Sequence, residues 1–216
     1  MTYLEIVNQV LTRLREDTVT GLTASYSKLI GEFVNQAIYE CEHSWDWSVL
    51  IETITITTAA SDNLYDFHTA DTKIIESINE TKQWYVRNIP HSYQYKHDYL
   101  IALEDGSPYF YSFEGKNGEY SQVKLTPTPI GIESIRFLCV KYTDQLLTDG
   151  TDNTDVIKLP ELPIILKAYA LAVSERGEDG GATFNEADAK ANEALANAIS
   201  MDVTKNHYSE VSWNAV

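Results

Sequence analysis

HSWDWSVLIETITITT, residues 43–58, changes its hydrophobic period within a few positions. The first half ends a helical pattern and sets Trp45 and Trp47 around Asp46. From Ile51 the residues alternate, with Ile54 and Ile56 to one side and Thr53, Thr55 and Thr57 to the other. A change from a period of 3.6 to a period of 2 marks a joint where a helical layer meets a sheet. Half of the chain's four tryptophans stand at this joint. The rings of Trp45 and Trp47, with Leu50, are expected to fill the wedge between helix and sheet.

Upstream of the joint the chain reads as two helices. In TYLEIVNQVLTRLRE (2–16), Leu4, Val7, Leu11 and Leu14 recur at helical spacing and Ile6 and Val10 widen the stripe. Thr2 and Glu5 match a capping box, so the helix is expected to start almost at residue 2. After a polar link containing Gly21, a second stripe runs through Tyr26, Leu29, Ile30, Phe33, Val34, Ala37, Ile38 and Cys41.

Downstream, residues 49–158 carry the vocabulary of a β domain. TKIIESI (72–78), QWYVRNI (83–89), PYFYSF (108–113), YSQVKLT (120–126) and ESIRFLCVKY (133–142) are rich in branched and aromatic residues. Asn117-Gly118 predicts a hairpin turn between two of them, and Pro127 and Pro129 end a strand because they cannot donate to a ladder. SYQYKHDYLIAL (92–103) is ambiguous: Tyr93, His97, Leu100 and Leu103 could line a short helix, the reading preferred, and a strand is the alternative. The acidic LLTDGTDNTDVIKLP (146–160) reads as a surface loop leaving the β region.

The last third returns to helices. ELPIILKAYALAVSER (161–176) is apolar at Ile164, Ile165, Ala168, Leu171 and Ala172, and Gly177 to Gly181 closes it. The next helix carries a second capping box, Thr183 to Glu186, and an alanine-rich face of Ala187, Ala191, Ala194, Leu195, Ala198 and Ile199. The economical assembly is α+β: a four-helix bundle from the N- and C-terminal helix pairs (1–48 and 159–202), a sandwich-like antiparallel β domain inserted between them (49–158), and an extended C-terminal tail (203–216). That tail loses helical periodicity yet keeps Tyr208, Val211, Trp213 and Val216, residues better suited to docking than to waving in water.

Composition narrows the function. With 32 acidic against 16 basic residues the net charge is −16, which repels phosphates over most of the surface and argues against gripping DNA or an anionic membrane. The start has no basic and apolar leader, and IILKAYALAV (164–173) is too short and too polar to span a bilayer, so a soluble, unexported chain is expected. Cys41 and Cys139 read as two reduced, buried thiols. Of the five histidines, at 43, 68, 91, 97 and 207, only His91 and His97 lie close, with no cysteine near to complete a zinc site. No phosphate loop or nucleophile elbow occurs, so no cofactor, metal or catalytic residue is assigned. The carboxylates Asp144, Asp149, Asp152 and Asp155 read as a solvated loop, with weak calcium binding as the lesser alternative.

Taken together, MTYLEIVNQVLTRLRED (1–17), the stretch from Tyr26 through Thr58 with Trp45, Trp47 and Leu50 in a W-x-W-x-x-L helix end, GSPYFYSFEG (106–115), KLTPTP (124–129), and RGEDGG with ADAKANEALANAISMD (187–202) resemble the head-to-tail adaptors of tailed phages, the relatives of tail tubular protein A. The resemblance implies a non-enzymatic structural virion protein at the head–tail junction, made in the cytoplasm of the infected host. It implies a ring of copies, dodecameric in that family, between the portal protein and the tail nozzle, lining a channel through which DNA passes without specific binding. It also implies that the C-terminal segment reaches the portal, with Trp213 as the main anchor beside Tyr208, Val211 and Val216. A stopper protein of a long-tailed phage is a close variant. The alternative from another class is a carbohydrate-binding module with an aromatic platform in SPYFYSF (107–113) and QWYVRN (83–88); a carboxylate-pair hydrolase comes third.

Overall fold

A computed structural model describes residues 1–69, 72–100, 104–118, 120–143, 146, 148, 151–177 and 182–205. The chain forms two compact units. One comprises Met1–Leu50 and the described part of Thr143–Val216; the other is Ile51–Tyr142.

The first unit is helical, with α1 (Tyr3–Arg13), α2 (Ser25–Ser44), a 3-10 turn at Ser48–Leu50, α4 (Glu161–Arg176) and α5 (Ala182–Lys205). Thr2 caps α1 reciprocally: its Oγ1 accepts from Glu5 N at 3.3 Å while its own N–H donates to Glu5 Oε2 at 2.8 Å. Two more N–H groups of that helix start, on Tyr3 and Leu4, donate to the carbonyls of Asp155 and Asn153 at 2.8 and 3.2 Å. The acidic loop at 152–155 is thus a backbone cap for α1. Gly177, left-handed at φ +64°, closes α4 as its spacing predicts. Thr183 lies inside α5, whose described span starts at Ala182, and Glu186 pairs with Lys190 at 2.6 Å.

Pro163, Ile164, Ile165, Ala168, Ala170 and Ala172 of α4 are all buried, on more than one side of the helix. That distribution makes α4 a hub: α1, α2 and α5 each pack against it. Small residues let α5 lie close, with Ala187 and Ala191 buried. Lys167 of α4 reaches Glu40 of α2 at 3.0 Å and Asp188 of α5 at 2.8 Å, linking three helices through one ammonium. Among the described residues no helix is long and apolar enough to cross a membrane.

The second unit holds β1 (Ile51–Thr57), β2 (Leu64–Thr69), β3 (Thr72–Asn79), β4 (Trp84–Tyr85), β5 (Arg87–Asn88), α3 (His91–Leu100), β6 (Phe110–Asn117), β7 (Tyr120–Thr126) and β8 (Ser134–Lys141). They form two four-stranded sheets, ordered β1-β8-β3-β4 and β2-β7-β6-β5. The Ile/Thr alternation comes out as read: Thr53, Thr55 and Thr57 are exposed, Ile54 is half-buried and Ile56 is buried. Along β8, Ile135, Phe137 and Cys139 face inward with no exposure at all. They meet Phe67, Tyr111, Val123 and Leu125 of the other sheet, and the Phe67 and Tyr111 rings stand edge-on to Phe137, at 5.1 and 5.5 Å between centroids. The predicted hairpin joins β6 to β7, with Gly118 at φ +61°.

The expected four-helix bundle with one inserted antiparallel β domain is not what forms. Of the five helices among the described residues, α3 belongs to the β unit, where it packs on β6. The β part is two sheets, one of them mixed because β5 runs parallel to β6. The physical cause is local. QWYVRNI is not one strand: Val86, buried, donates to Ser77 O in the first sheet, while its neighbour Arg87 donates to Tyr109 O in the second. The chain therefore changes sheets at Val86, and two short strands replace one. In the helical unit, the broad burial of α4 gives a hub where four equal amphipathic stripes were expected.

Candidate functional site

Around Trp45 the loop after α2 is tied to the far end of the chain. Asp202, near the end of α5 and 5 % exposed, accepts from the Trp45 indole N–H at 3.1 Å, from Ser48 N at 3.0 Å and from Ser48 Oγ at 2.5 Å. Trp47, 1 % exposed, donates its indole N–H to the carbonyl of Cys41 at 2.8 Å, in the last turn of α2. Leu50 is also buried. All of these groups belong to the helical unit, so the hydrogen bonds of both indoles go to helices. The motif acts as a clasp that fixes the last turn of α5, the point from which the C-terminal segment departs.

Burial pushes the Asp202 carboxyl up, but the donors on Ser48 and Trp45, with Lys205 nearby, outweigh it and hold the group below the usual carboxylate range. A carboxyl with a depressed folded-state pKa contributes its stability above its unfolded value and loses it as pH falls through the folded one. The clasp is therefore complete at neutral pH and weakens below about pH 4. Asp202→Asn, which turns an amide N–H toward donors, is expected to cost about 2 kcal/mol at pH 7. Urea melts should show the gap from wild type narrowing below about pH 4.

Chemistry finds little to work with elsewhere. Burial pushes both cysteine thiols up to about 12, so neither is a ready nucleophile. His43 shares a hydrogen bond with Tyr39 O at 2.9 Å on α2, and His91 lies 3.9 Å from Glu114. The side chains of His68 and His97, and all of His207, lie outside the described residues, as do Asp144 and Asp149. Among the described residues no cluster of three or more His, Cys, Asp or Glu is placed to hold a metal. A cavity of about 310 Å³ in the β unit holds one carboxylate, Glu76, beside Arg87, so it does not supply the pair that glycoside hydrolysis requires.

Of the two stretches named for an aromatic platform, QWYVRN leaves Trp84 and Tyr85 exposed, and the rings of SPYFYSF pack against one another. Tyr111 is core, Trp84 donates its indole N–H to Pro108 O, and the pairs Tyr109–Phe110 and Tyr111–Phe113 meet at 66° and 83°. A sugar ring stacks on coplanar faces, and these are edge-to-face.

The family model described as SU10 adaptor protein matches residues 1–213. The chain belongs to this family. Membership gives it a structural adaptor role and agrees with the head-to-tail adaptor resemblance of its motifs. No curated protein matches it.

For an SU10-family adaptor the expected residues divide in two. Trp45 is tied to α5, Trp47 to α2, and Leu50 is buried with its N–H on Trp47 O. Tyr208, Val211, Trp213 and Val216 lie outside the described residues, and α5 runs through Lys205, so the first three residues of the expected tail are helical. Sequence reading missed Ser48 and Asp202. They are 154 positions apart, and nothing local marks an aspartate between Met201 and Val203 as the partner of an indole.

Proposed function

We propose that this SU10-family adaptor is the subunit of a ring between the portal and the tail nozzle of a phage, with twelve copies as the size its resemblance implies. The family match carries the reading, because it extends to residue 213 and so takes in most of the C-terminal segment. Residues 203–216 reach the portal, with Trp213 as the anchor and Tyr208, Val211 and Val216 beside it. The Asp202 clasp supports this role by giving the segment a rigid root: a docking peptide that starts from an ordered point loses less entropy on binding. Ring closure uses two different complementary faces per copy. An acidic subunit, net charge −16, lets DNA slide through a channel, since like charges release no counterions and form no grip.

Negative-stain imaging and native mass of the protein mixed with its cognate portal should show one ring stacked on the portal ring. Particles that remain monomeric and leave the portal bare would overturn the proposal. In the same preparation, duplex DNA at physiological salt should not be retarded by the free protein.

A further inference from the structure

The most exposed aliphatic side chains described in the β unit sit at the tip of a loop that is otherwise held rigidly. Ile132 is 79 % and Ile130 65 % exposed, in TPTPIGIE (126–133) between β7 and β8. The backbone beneath them is pinned on several sides. Pro129 O accepts from Ser61 N, Thr128 O from Gly106 N and Gly131 O from Thr58 Oγ1, each at 2.8 Å. Glu133, buried at the foot of the loop, accepts from Asn79 Nδ2 and Ser107 Oγ at 2.5 Å each and donates its N–H to Thr58 Oγ1. Pro127 and Pro129, both buried, remove further freedom. Fixed geometry around two β-branched side chains in water contributes nothing to the core; it is the arrangement that lowers the entropy cost of docking.

Charge indicates what the tip meets. The loops hydrogen-bonded to it present Asp62, Glu104 and Asp105, all exposed, against a single lysine, Lys82, in the adjoining turn. A second copy of this chain, with its net charge of −16, would set acid against acid around the contact. Resting on the adaptor reading above, we infer that Ile130 and Ile132 form a preorganised apolar knob in an acidic collar. The knob seats in an apolar socket rimmed by lysine or arginine on a different virion protein. Its residues belong to the β unit, whereas the proposed portal-docking residues follow α5 of the helical unit in sequence.

The test uses the full chain with two probes, purified cognate portal and purified cognate tail nozzle, each immobilised separately. Ile130→Ser/Ile132→Ser should bind one of them about 100-fold more weakly, with an unchanged melting temperature and unchanged ring assembly. Glu104→Lys/Asp105→Lys should slow association with the same probe about 10-fold and flatten its salt dependence. Wild-type affinity of the serine variant for both probes overturns the knob and leaves the adaptor reading standing. Failure of that variant to close rings overturns it in favour of a contact between copies. Wild-type protein that binds neither probe overturns both readings.

Discussion

Trp47→Ala is expected to lower the stability of the helical unit by about 4 kcal/mol, the middle of the range for emptying a buried aromatic site. The indole is 1 % exposed and fills space at the end of α2 that an alanine leaves void. Its N–H bond to Cys41 O is also lost, although that carbonyl keeps the Ser44 hydroxyl at 2.7 Å. Cavity formation, not an orphaned acceptor, therefore dominates. Trp47→Phe, which keeps much of the volume and loses the N–H, should cost about 1–2 kcal/mol. Urea denaturation followed by far-ultraviolet circular dichroism reads both changes, and a loss below about 1 kcal/mol for Trp47→Ala would refute the packing role.

Truncation after Lys205 is expected to weaken association with the portal by at least about 100-fold while leaving the fold intact. The cut falls just beyond the end of α5, so Asp202 keeps its bonds to Trp45 and Ser48 and the root of the segment stays ordered. What goes is the set Tyr208, Val211, Trp213 and Val216. Trp213→Ala alone should account for about 10-fold or more, as a single aromatic anchor does in many interfaces. Co-sedimentation with the portal measures the loss, and circular dichroism with a melting curve establishes that the truncated chain is folded. Undiminished association would remove the C-terminal segment from the proposed function. Ring formation without the portal would then have to carry it alone.

Local pattern carried a good deal of this reading. The capping box of Thr2 and Glu5, the Ile/Thr alternation of β1, the Gly118 turn and the left-handed Gly177 each depend on neighbours a few residues apart, and each came out as the spacing implied; of the α2 stripe, Ile30, Val34, Ala37, Ile38 and Cys41 are buried and Tyr26, Leu29 and Phe33 half-buried. The short helix α3 came out too. Where a local rule competed with longer-range demands, it lost. QWYVRNI satisfies strand propensity throughout, yet Val86 hands the chain from one sheet to the other because its neighbours find hydrogen-bond partners in different sheets.

The amino-acid order by itself determined an α+β chain, a change of period after Trp47, an acidic surface and a family-level likeness, because each is a property of composition or of short-range periodicity. Tertiary structure alone decided the central place of α4, the parallel β5–β6 pair that makes one sheet mixed, the Asp202 clasp and the exposed Ile130–Ile132 tip. Those features arise from groups brought together across as many as 162 positions. Which distant donor meets which buried acceptor depends on how whole elements pack, and no window along the chain contains both partners.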